Sequence, residues 1–153
     1  MTKLPEATEN YAEASISNLN SAKKALDAGM DAEAFVRSFW CCENVLKAVL
    51  VKAKKFDSCR GGDKHHDCWK LAQKIKSLNI IDTMKIPIIE KTLENLLTIN
   101  ISSGTQHVNS SHTDRSKVGD LRYIDLNKFV SLNDAQEKVS LANQLVSLLS
   151  GYF

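Results

Sequence analysis

Glycine and proline are scarce in this chain, whose 153 residues include six glycines and two prolines. Folds built from many short strands need these residues at their turns, so their scarcity disfavours sandwiches and barrels. The sequence also lacks an uninterrupted apolar run of about 18 residues, which a transmembrane helix requires. Its first residues, Met1 to Glu6, are polar almost at once and lack the apolar core of a signal peptide. We therefore expect a helical, cytoplasmic protein with no membrane partner.

The chain has almost no excess of charge of one sign, since 20 basic and 18 acidic side chains give a formal net charge of +2. That excess is too small to indicate a polyanion-binding protein by itself. Hydrophobic residues make up 43% of the chain and charged residues 25%, which is typical of globular proteins. Length and composition predict one domain over residues 1–153, stable without a cofactor, metal or disulfide.

The cysteines give no clear metal or disulfide pattern. They are Cys41, Cys42, Cys59 and Cys68. Reduced, buried thiols are the interpretation we favour over disulfides for a chain expected in the cytoplasm. Cys59 and Cys68 lie with His65 and His66 in a ten-residue segment, and cysteine and histidine are both zinc ligands. Because the usual C-x2-C and H-x3-H spacings are absent, we predict no metal site.

Apolar residues recur every three or four positions along most of the chain, which predicts amphipathic helices. The first three predicted helices are residues 7–28, a helix capped by Asp31 that ends near Ala53, and residues 64–78. The fourth has Pro87 in its first turn and reaches Leu97. The last begins at Ser131 or Asn133 and reaches Leu149. Gly29 lies where the first helix should end. Residues 100–120 have no period and predict a long flexible loop. The fold class is therefore all-α, an antiparallel four- to five-helix up-and-down bundle.

The second predicted helix has the clearest apolar stripe. Its members are Phe35, Phe39, Cys42, Leu46, Val49 and Ala53, widened by Val36, Trp40 and Val45. A stripe this wide predicts a helix packed on two sides, in the middle of a bundle. The same face is also consistent with a structural role in which the bundle pairs with a second copy of the chain.

Motifs for nucleotide or hydrolase chemistry are missing, since no P-loop, G-x-G-x-x-G or G-x-S-x-G pattern occurs. On the second helix, Glu43 and Lys47 are four residues apart in the order that favours a side-chain pair. Their simplest interpretation is a surface ion pair worth a few tenths of a kcal/mol. Their neighbours, an aromatic-rich run from Phe39 to Leu50, suggest a second interpretation.

This run contains Glu-x-x-x-Lys-Ala-x-Leu, and a short loop then leads to His66-Asp67-Cys68-Trp69-Lys70-Leu71. Further along stands Arg122-Tyr123-Ile124-Asp125, followed by the last amphipathic helix. In order and spacing these segments resemble the HEPN family (higher eukaryotes and prokaryotes nucleotide-binding domain) over nearly the whole chain. Isoleucine at position 124 replaces the proline usual in the family.

The resemblance implies a helical bundle, a homodimer, and binding of a nucleotide, RNA or a partner nucleotidyltransferase, in a toxin–antitoxin or phage-defence setting. The residues it selects for nucleotide or RNA binding are Arg122, Tyr123, His66, Asp67, Glu43 and Lys47. A guanidinium group can bind phosphate through two hydrogen bonds, and a tyrosine ring can stack on a base. The alternative is structural: His66-Asp67 caps a helix, Arg122 pairs with an acid such as Asp125, and Tyr123 packs on the bundle.

Some HEPN proteins are metal-independent ribonucleases with an Arg-x4–6-His motif, in which His performs acid–base chemistry and Arg stabilises charge. Here no histidine follows Arg122. Arg60 and His65 have the required spacing, with His66 one residue further, but they lie in the predicted loop before the third helix. A binding module is thus our first hypothesis. The alternatives are a ribonuclease using Arg60 with His65 or His66, or Arg122 with a loop histidine, and a purely structural dimer.

Overall fold

The computed structural model describes residues 10–59, 62–63, 66–101, 104–107 and 130–153. Its elements are α1 (Tyr11–Asp27), α2 (Asp31–Lys52), α3 (Cys68–Ser77), α4 (Ile86–Leu96), β1 (Thr98–Ile101), β2 (Gly104–His107) and α5 (Leu132–Leu149). The predicted all-α bundle is confirmed. Helix α2 lies at its centre and packs against α1, α3 and α5, while α4 packs against α5.

A tight turn joins α1 to α2. Asn10 caps α1, since its side-chain oxygen accepts a hydrogen bond from Glu13 N at 3.0 Å. At the other end Gly29 has φ +73°, the left-handed conformation that glycine adopts at no steric cost, as predicted for this position. The expected Asp31 cap is wrong. Met30 occupies the cap position and makes no side-chain hydrogen bond there, and Asp31 is already the first helical residue. The turn through Gly29 therefore starts α2 one residue before the predicted start.

Side-chain caps decide where two other helices begin. Asp67 caps α3 by accepting a hydrogen bond from Lys70 N at 3.2 Å, so the helix starts at Cys68 and the predicted start at residue 64 is wrong. Ser131, of the two candidates, caps α5. Its hydroxyl accepts from Asp134 N at 3.2 Å, and the Asp134 carboxylate accepts from Ser131 N at 3.1 Å. This reciprocal capping box satisfies two otherwise unpaired backbone donors.

A β-hairpin occupies the first part of the segment predicted to be a loop. Strand β1 pairs with β2 in antiparallel register, with Thr98 opposite His107 and Ile101 opposite Gly104. The loop prediction is therefore wrong for residues 100–101 and 104–107. A strand of four residues is too short to give a recognisable period, although its β-branched residues favour extended backbone. Residues 108–120 of the predicted loop lie outside the described residues.

The wide apolar stripe of α2 is buried within this chain. The side chains that are at most 1% exposed on this helix include Phe35, Phe39, Cys42, Val45, Leu46 and Val49. Packing on two sides, the prediction for this helix, is confirmed. Trp40 differs from its neighbours because it remains 38% exposed. The homodimer stays a prediction, and α2 offers a second copy mainly the surface around Trp40. Within the described ranges, no helix combines the length and apolarity needed to cross a membrane.

Candidate ligand-binding site

Three polar side chains from two separate segments meet beside the middle of α2. Glu43 and Lys47 lie one helical turn apart, and Lys47 Nζ donates a hydrogen bond to Glu43 Oε2 at 3.0 Å. His66 comes from the connection between α2 and α3, and its Nδ1 lies 2.9 Å from both Glu43 carboxylate oxygens. An ionised carboxylate only accepts hydrogen bonds, so His66 Nδ1 carries the proton in this contact. We call these three residues the Glu43 cluster.

The Glu43 cluster is buried at one end and open at the other. Glu43 is 7% exposed and Lys47 only 3%, so the surface-pair interpretation of these two residues is wrong. The His66 side chain, in contrast, is 49% exposed. A ligand in solution can therefore reach the histidine, while the carboxylate and ammonium groups lie beneath it.

Two aromatic rings complete the buried end of the cluster. Lys47 Nζ lies 5.5 Å from the centroid of the Tyr11 ring, and this ring lies 5.2 Å from that of Phe56. A buried ion pair is costly unless further contacts replace the lost water. The electron-rich face of Tyr11 supplies one such contact to the ammonium group. Tyr11 belongs to the first turn of α1, so contacts from both α1 and α2 hold Lys47 in place.

The connection that delivers His66 is itself braced. Asp57 N donates to Asp63 Oδ2 at 2.7 Å, and Lys74 Nζ of α3 contacts the same oxygen at 2.5 Å. Gly62 lies so close to the chain that a Cβ atom there would be 2.7 Å from the Asp57 carbonyl oxygen. The backbone N–H of Cys59 donates to the Asp57 carboxylate, which holds the pKa of Asp57 below its ordinary value. The described residues of this segment, 57–59 and 62–63, are therefore linked to one another and to α3.

Buried thiols join the start of α3 to α2. Cys68 and Cys42 are at most 1% exposed, and a hydrogen bond links their side chains. Burial, followed by this hydrogen bond, raises the pKa of Cys42 well above its ordinary value. Burial also raises the pKa of Cys41, to about 12, although Lys23 opposes this shift. All four cysteines are free, in agreement with the predicted reduced thiols, and three of them pack in the core.

The sequence-predicted site residues divide into two groups. Glu43, Lys47 and His66 are brought together, and Asp67 adjoins them as the cap of α3, which confirms the structural role predicted for it. The other predicted residues, Arg60, His65, Arg122 and Tyr123, lie outside the described residues, and their roles stay predictions. In the part of the chain that the structure describes, no group of three or more His, Cys, Asp or Glu side chains is arranged to hold a metal ion.

No protein-family model, curated protein or solved structure matches this chain. The function must therefore be inferred from the chemistry of the site. A carboxylate bound to Nδ1 fixes the orientation of an imidazole ring and directs its other edge away from the carboxylate. Because Lys47 balances the charge of Glu43, an anion that approaches His66 meets no net negative charge from the pair beneath it. The geometry of the Glu43 cluster thus suits binding of an anionic group at His66.

Two residues near the site are missing from the sequence-based prediction. Tyr11 is far from Lys47 along the chain, and no sequence pattern connects a residue at the start of one helix with the interior of another. Trp40 has a usable signal, because it precedes Glu43 by three residues and side chains at this spacing are neighbours on a helix. Its place in the apolar row of α2 instead predicts a buried position, and that prediction is wrong.

Proposed function

We propose that this protein is a HEPN-like module that binds the phosphate group of a nucleotide or of RNA at the Glu43 cluster. One observation carries the proposal: residues that the family resemblance selects from two separate segments form one hydrogen-bonded cluster with an exposed histidine. Chance would not often place Glu43 and His66 in contact, since each resembles a different family motif.

The division of labour within the cluster follows from burial. His66 contacts the phosphate, Glu43 orients the imidazole, and Lys47 holds the Glu43 carboxylate in position by a hydrogen bond. Arg122 and Tyr123 contribute a guanidinium and an aromatic ring to the same ligand in this proposal. The homodimer, the partner nucleotidyltransferase and the toxin–antitoxin or phage-defence setting belong to the proposal through the family resemblance alone.

The test is a binding titration by calorimetry with ribose 5-phosphate, the four ribonucleoside monophosphates and a short single-stranded RNA. We expect His66→Ala to lower the affinity for all phosphate-bearing ligands by roughly 10- to 100-fold, because a hydrogen bond to a charged group contributes about 1.5–3 kcal/mol. Gln73→Ala is a suitable control, since Gln73 is an exposed residue of α3. Equal affinities of wild type and His66→Ala, or no binding of any of these ligands, would refute the proposal.

A metal-independent ribonuclease is the second candidate, favoured by the contact between His66 Nδ1 and the Glu43 carboxylate. This is the arrangement by which a carboxylate orients a histidine for general acid–base catalysis. His66 would then accept the proton of an RNA 2′-hydroxyl, with Arg60 or Arg122 stabilising the phosphate charge. Incubation of a mixed RNA pool in EDTA distinguishes the candidates. Cleavage that His66→Ala abolishes supports the enzyme, whereas RNA binding without cleavage supports the binding module.

A further inference from the structure

Trp40 lies on the same face of α2 as the Glu43 cluster. It precedes Glu43 by three residues and Lys47 by seven, and helical side chains at these spacings form one row. The two phenylalanines of the same helix, Phe35 and Phe39, are at most 1% exposed, but Trp40 is 38% exposed. An accessible indole therefore adjoins the carboxylate that holds the accessible imidazole of His66.

The indole is held in place by Arg37. The guanidinium carbon of Arg37 lies 5.0 Å from the centroid of the Trp40 ring. Arg37 is itself fixed, because its Nε donates to Glu33 Oε1 at 2.8 Å and its Nη1 donates to Asn18 Oδ1 at 3.2 Å. Restraining an aromatic side chain before a ligand arrives reduces the entropy lost on binding. The Arg37 side chain is also 35% exposed, and its charge is balanced by Glu33, which is 42% exposed.

We infer that Trp40 is the base-stacking surface of the proposed phosphate site. The ligand is then a nucleotide, or one nucleotide unit of RNA, whose base stacks on Trp40 while its phosphate contacts His66. The helical rise between residues 40 and 43 is about 4.5 Å, so Trp40 lies less than one turn of α2 from the residue whose carboxylate holds His66. This inference rests on the proposed function, and it adds recognition of the base to recognition of the phosphate.

The surroundings of Trp40 favour a nucleotide over a second copy of the chain. Interfaces between identical subunits are apolar at their centre. On its own helix, Trp40 instead has the charged residues Arg37 and Glu43 three positions before and after it, with half-buried Val36 on the preceding turn. A single aromatic ring among charged groups suits stacking of a flat base with polar edges, and it suits packing of an extended apolar surface less well.

The experiment uses the fluorescence of Trp40. The chain has two tryptophans, so Trp69→Phe leaves Trp40 as the sole indole and also provides the parent protein for comparison. Adenosine and uridine monophosphate should quench this fluorescence by stacking. Ribose 5-phosphate has no base, so it should compete with the nucleotides without quenching. In this background Trp40→Ala has no tryptophan, so its affinity is measured by calorimetry. It should bind nucleotides about 5- to 150-fold more weakly, since stacking on a base contributes about 1–3 kcal/mol.

Two further comparisons make the outcome specific. Trp40→Ala should leave the affinity for ribose 5-phosphate unchanged, and Trp40→Phe, which keeps an aromatic ring, should restore most of the nucleotide affinity. Far-UV circular dichroism establishes that each variant is folded.

Nucleotides that bind no better than ribose 5-phosphate, with no effect of Trp40→Ala, would overturn the stacking role while the phosphate site stands. Failure of every ligand to bind would overturn both proposals. A shift of Trp40 fluorescence with protein concentration, together with a dimer mass by light scattering, would instead assign Trp40 to an interface between copies and overturn the stacking role.

Discussion

The imidazole of His66 and the carboxylate of Glu43 form a two-point contact, with Nδ1 at 2.9 Å from each carboxylate oxygen. The contact joins a half-exposed side chain to a buried one, since Glu43 is 7% exposed. Any change in Glu43 therefore has two effects. It removes the group that orients His66, and it leaves the buried ammonium of Lys47 without its ion-pair partner.

Glu43→Ala should lower the free energy of unfolding by about 3–5 kcal/mol, because removal of one partner leaves a buried charge uncompensated. The matched control is Glu33→Ala on the same helix. Glu33 also pairs with a basic residue four positions later, Arg37, but these two side chains are 42% and 35% exposed. We therefore expect Glu33→Ala to lower the free energy of unfolding by at most about 1 kcal/mol. Urea denaturation measures both values, and similar losses in the two variants would contradict the buried-pair account.

Lys138 ties α5 to the end of α4 and the start of the hairpin. Its Nζ donates to the carbonyl oxygen of Thr98 at 2.6 Å and to that of Asn95, and it lies 5.8 Å from the Phe35 ring centroid. Lys138→Met should cost about 1–3 kcal/mol of stability, since it removes the donor from these two carbonyl groups. The exposed residue Lys52 provides the control, because Lys52→Met should change the unfolding free energy by less than about 0.5 kcal/mol.

Burial also lowers the pKa of Lys138, although Glu137 and Asp134 oppose this shift. Between this lowered pKa and the ordinary lysine value of about 10.4, the unfolded chain binds more protons than the folded one. Stability contributed by Lys138 therefore rises with pH across that window and falls as pH drops through the folded pKa. Chemical denaturation across this pH range should show that the difference in unfolding free energy between wild type and Lys138→Met increases with pH. A constant or narrowing gap would contradict the predicted direction.

Gly62→Ala should disturb the turn that delivers His66. The new Cβ would lie 2.7 Å from the carbonyl oxygen of Asp57 and 2.9 Å from that of Cys59, so the backbone must move. We expect a loss of about 1–3 kcal/mol in unfolding free energy, typical of overpacking, together with weaker phosphate binding. Ser58→Ala, in the same turn, should leave both properties nearly unchanged. Normal stability and affinity of Gly62→Ala would show that the turn does not control His66.

Two lysine pairs allow a test of RNA over mononucleotides as the ligand. Lys54 and Lys55 immediately precede Phe56, whose ring contacts Tyr11 beside the Glu43 cluster. Lys23 and Lys24 lie on the same helix as Tyr11 but about 18 Å further along it. If RNA continues beyond His66 towards Lys54 and Lys55, substitution of both residues by Gln should weaken RNA binding. The slope of log K against log salt concentration should also become less steep by about 1.4, because two phosphate contacts are lost.

The double substitution of residues 23 and 24 makes the same charge change and should have much less effect on RNA affinity, measured by fluorescence anisotropy. Neither double variant should alter binding of a mononucleotide, whose single phosphate contacts His66 in the proposed site. Equal losses in the two variants would indicate a general charge effect and would contradict an RNA path along residues 54 and 55.

Local interactions explain which parts of the fold could be predicted. Gly29, Pro87 and Ser131 act on the backbone within a few residues of themselves, so their roles at helix ends follow from the sequence. The Asp31 cap and the start of α3 cannot be predicted in this way, because the path of the preceding chain decides which residue first takes helical geometry. The hairpin of residues 98–107 was missed because each strand has only four residues.

The site shows the same division. Sequence alone determined that Glu43 and Lys47 face the same way, because side chains four residues apart on a helix are neighbours. Only the tertiary structure decided that the pair is buried, that His66 binds it and that Trp40 stays accessible. These properties depend on where α1, α3 and His66 lie against α2. Burial of a side chain and contacts between distant segments result from packing of the whole chain, which a local pattern does not contain.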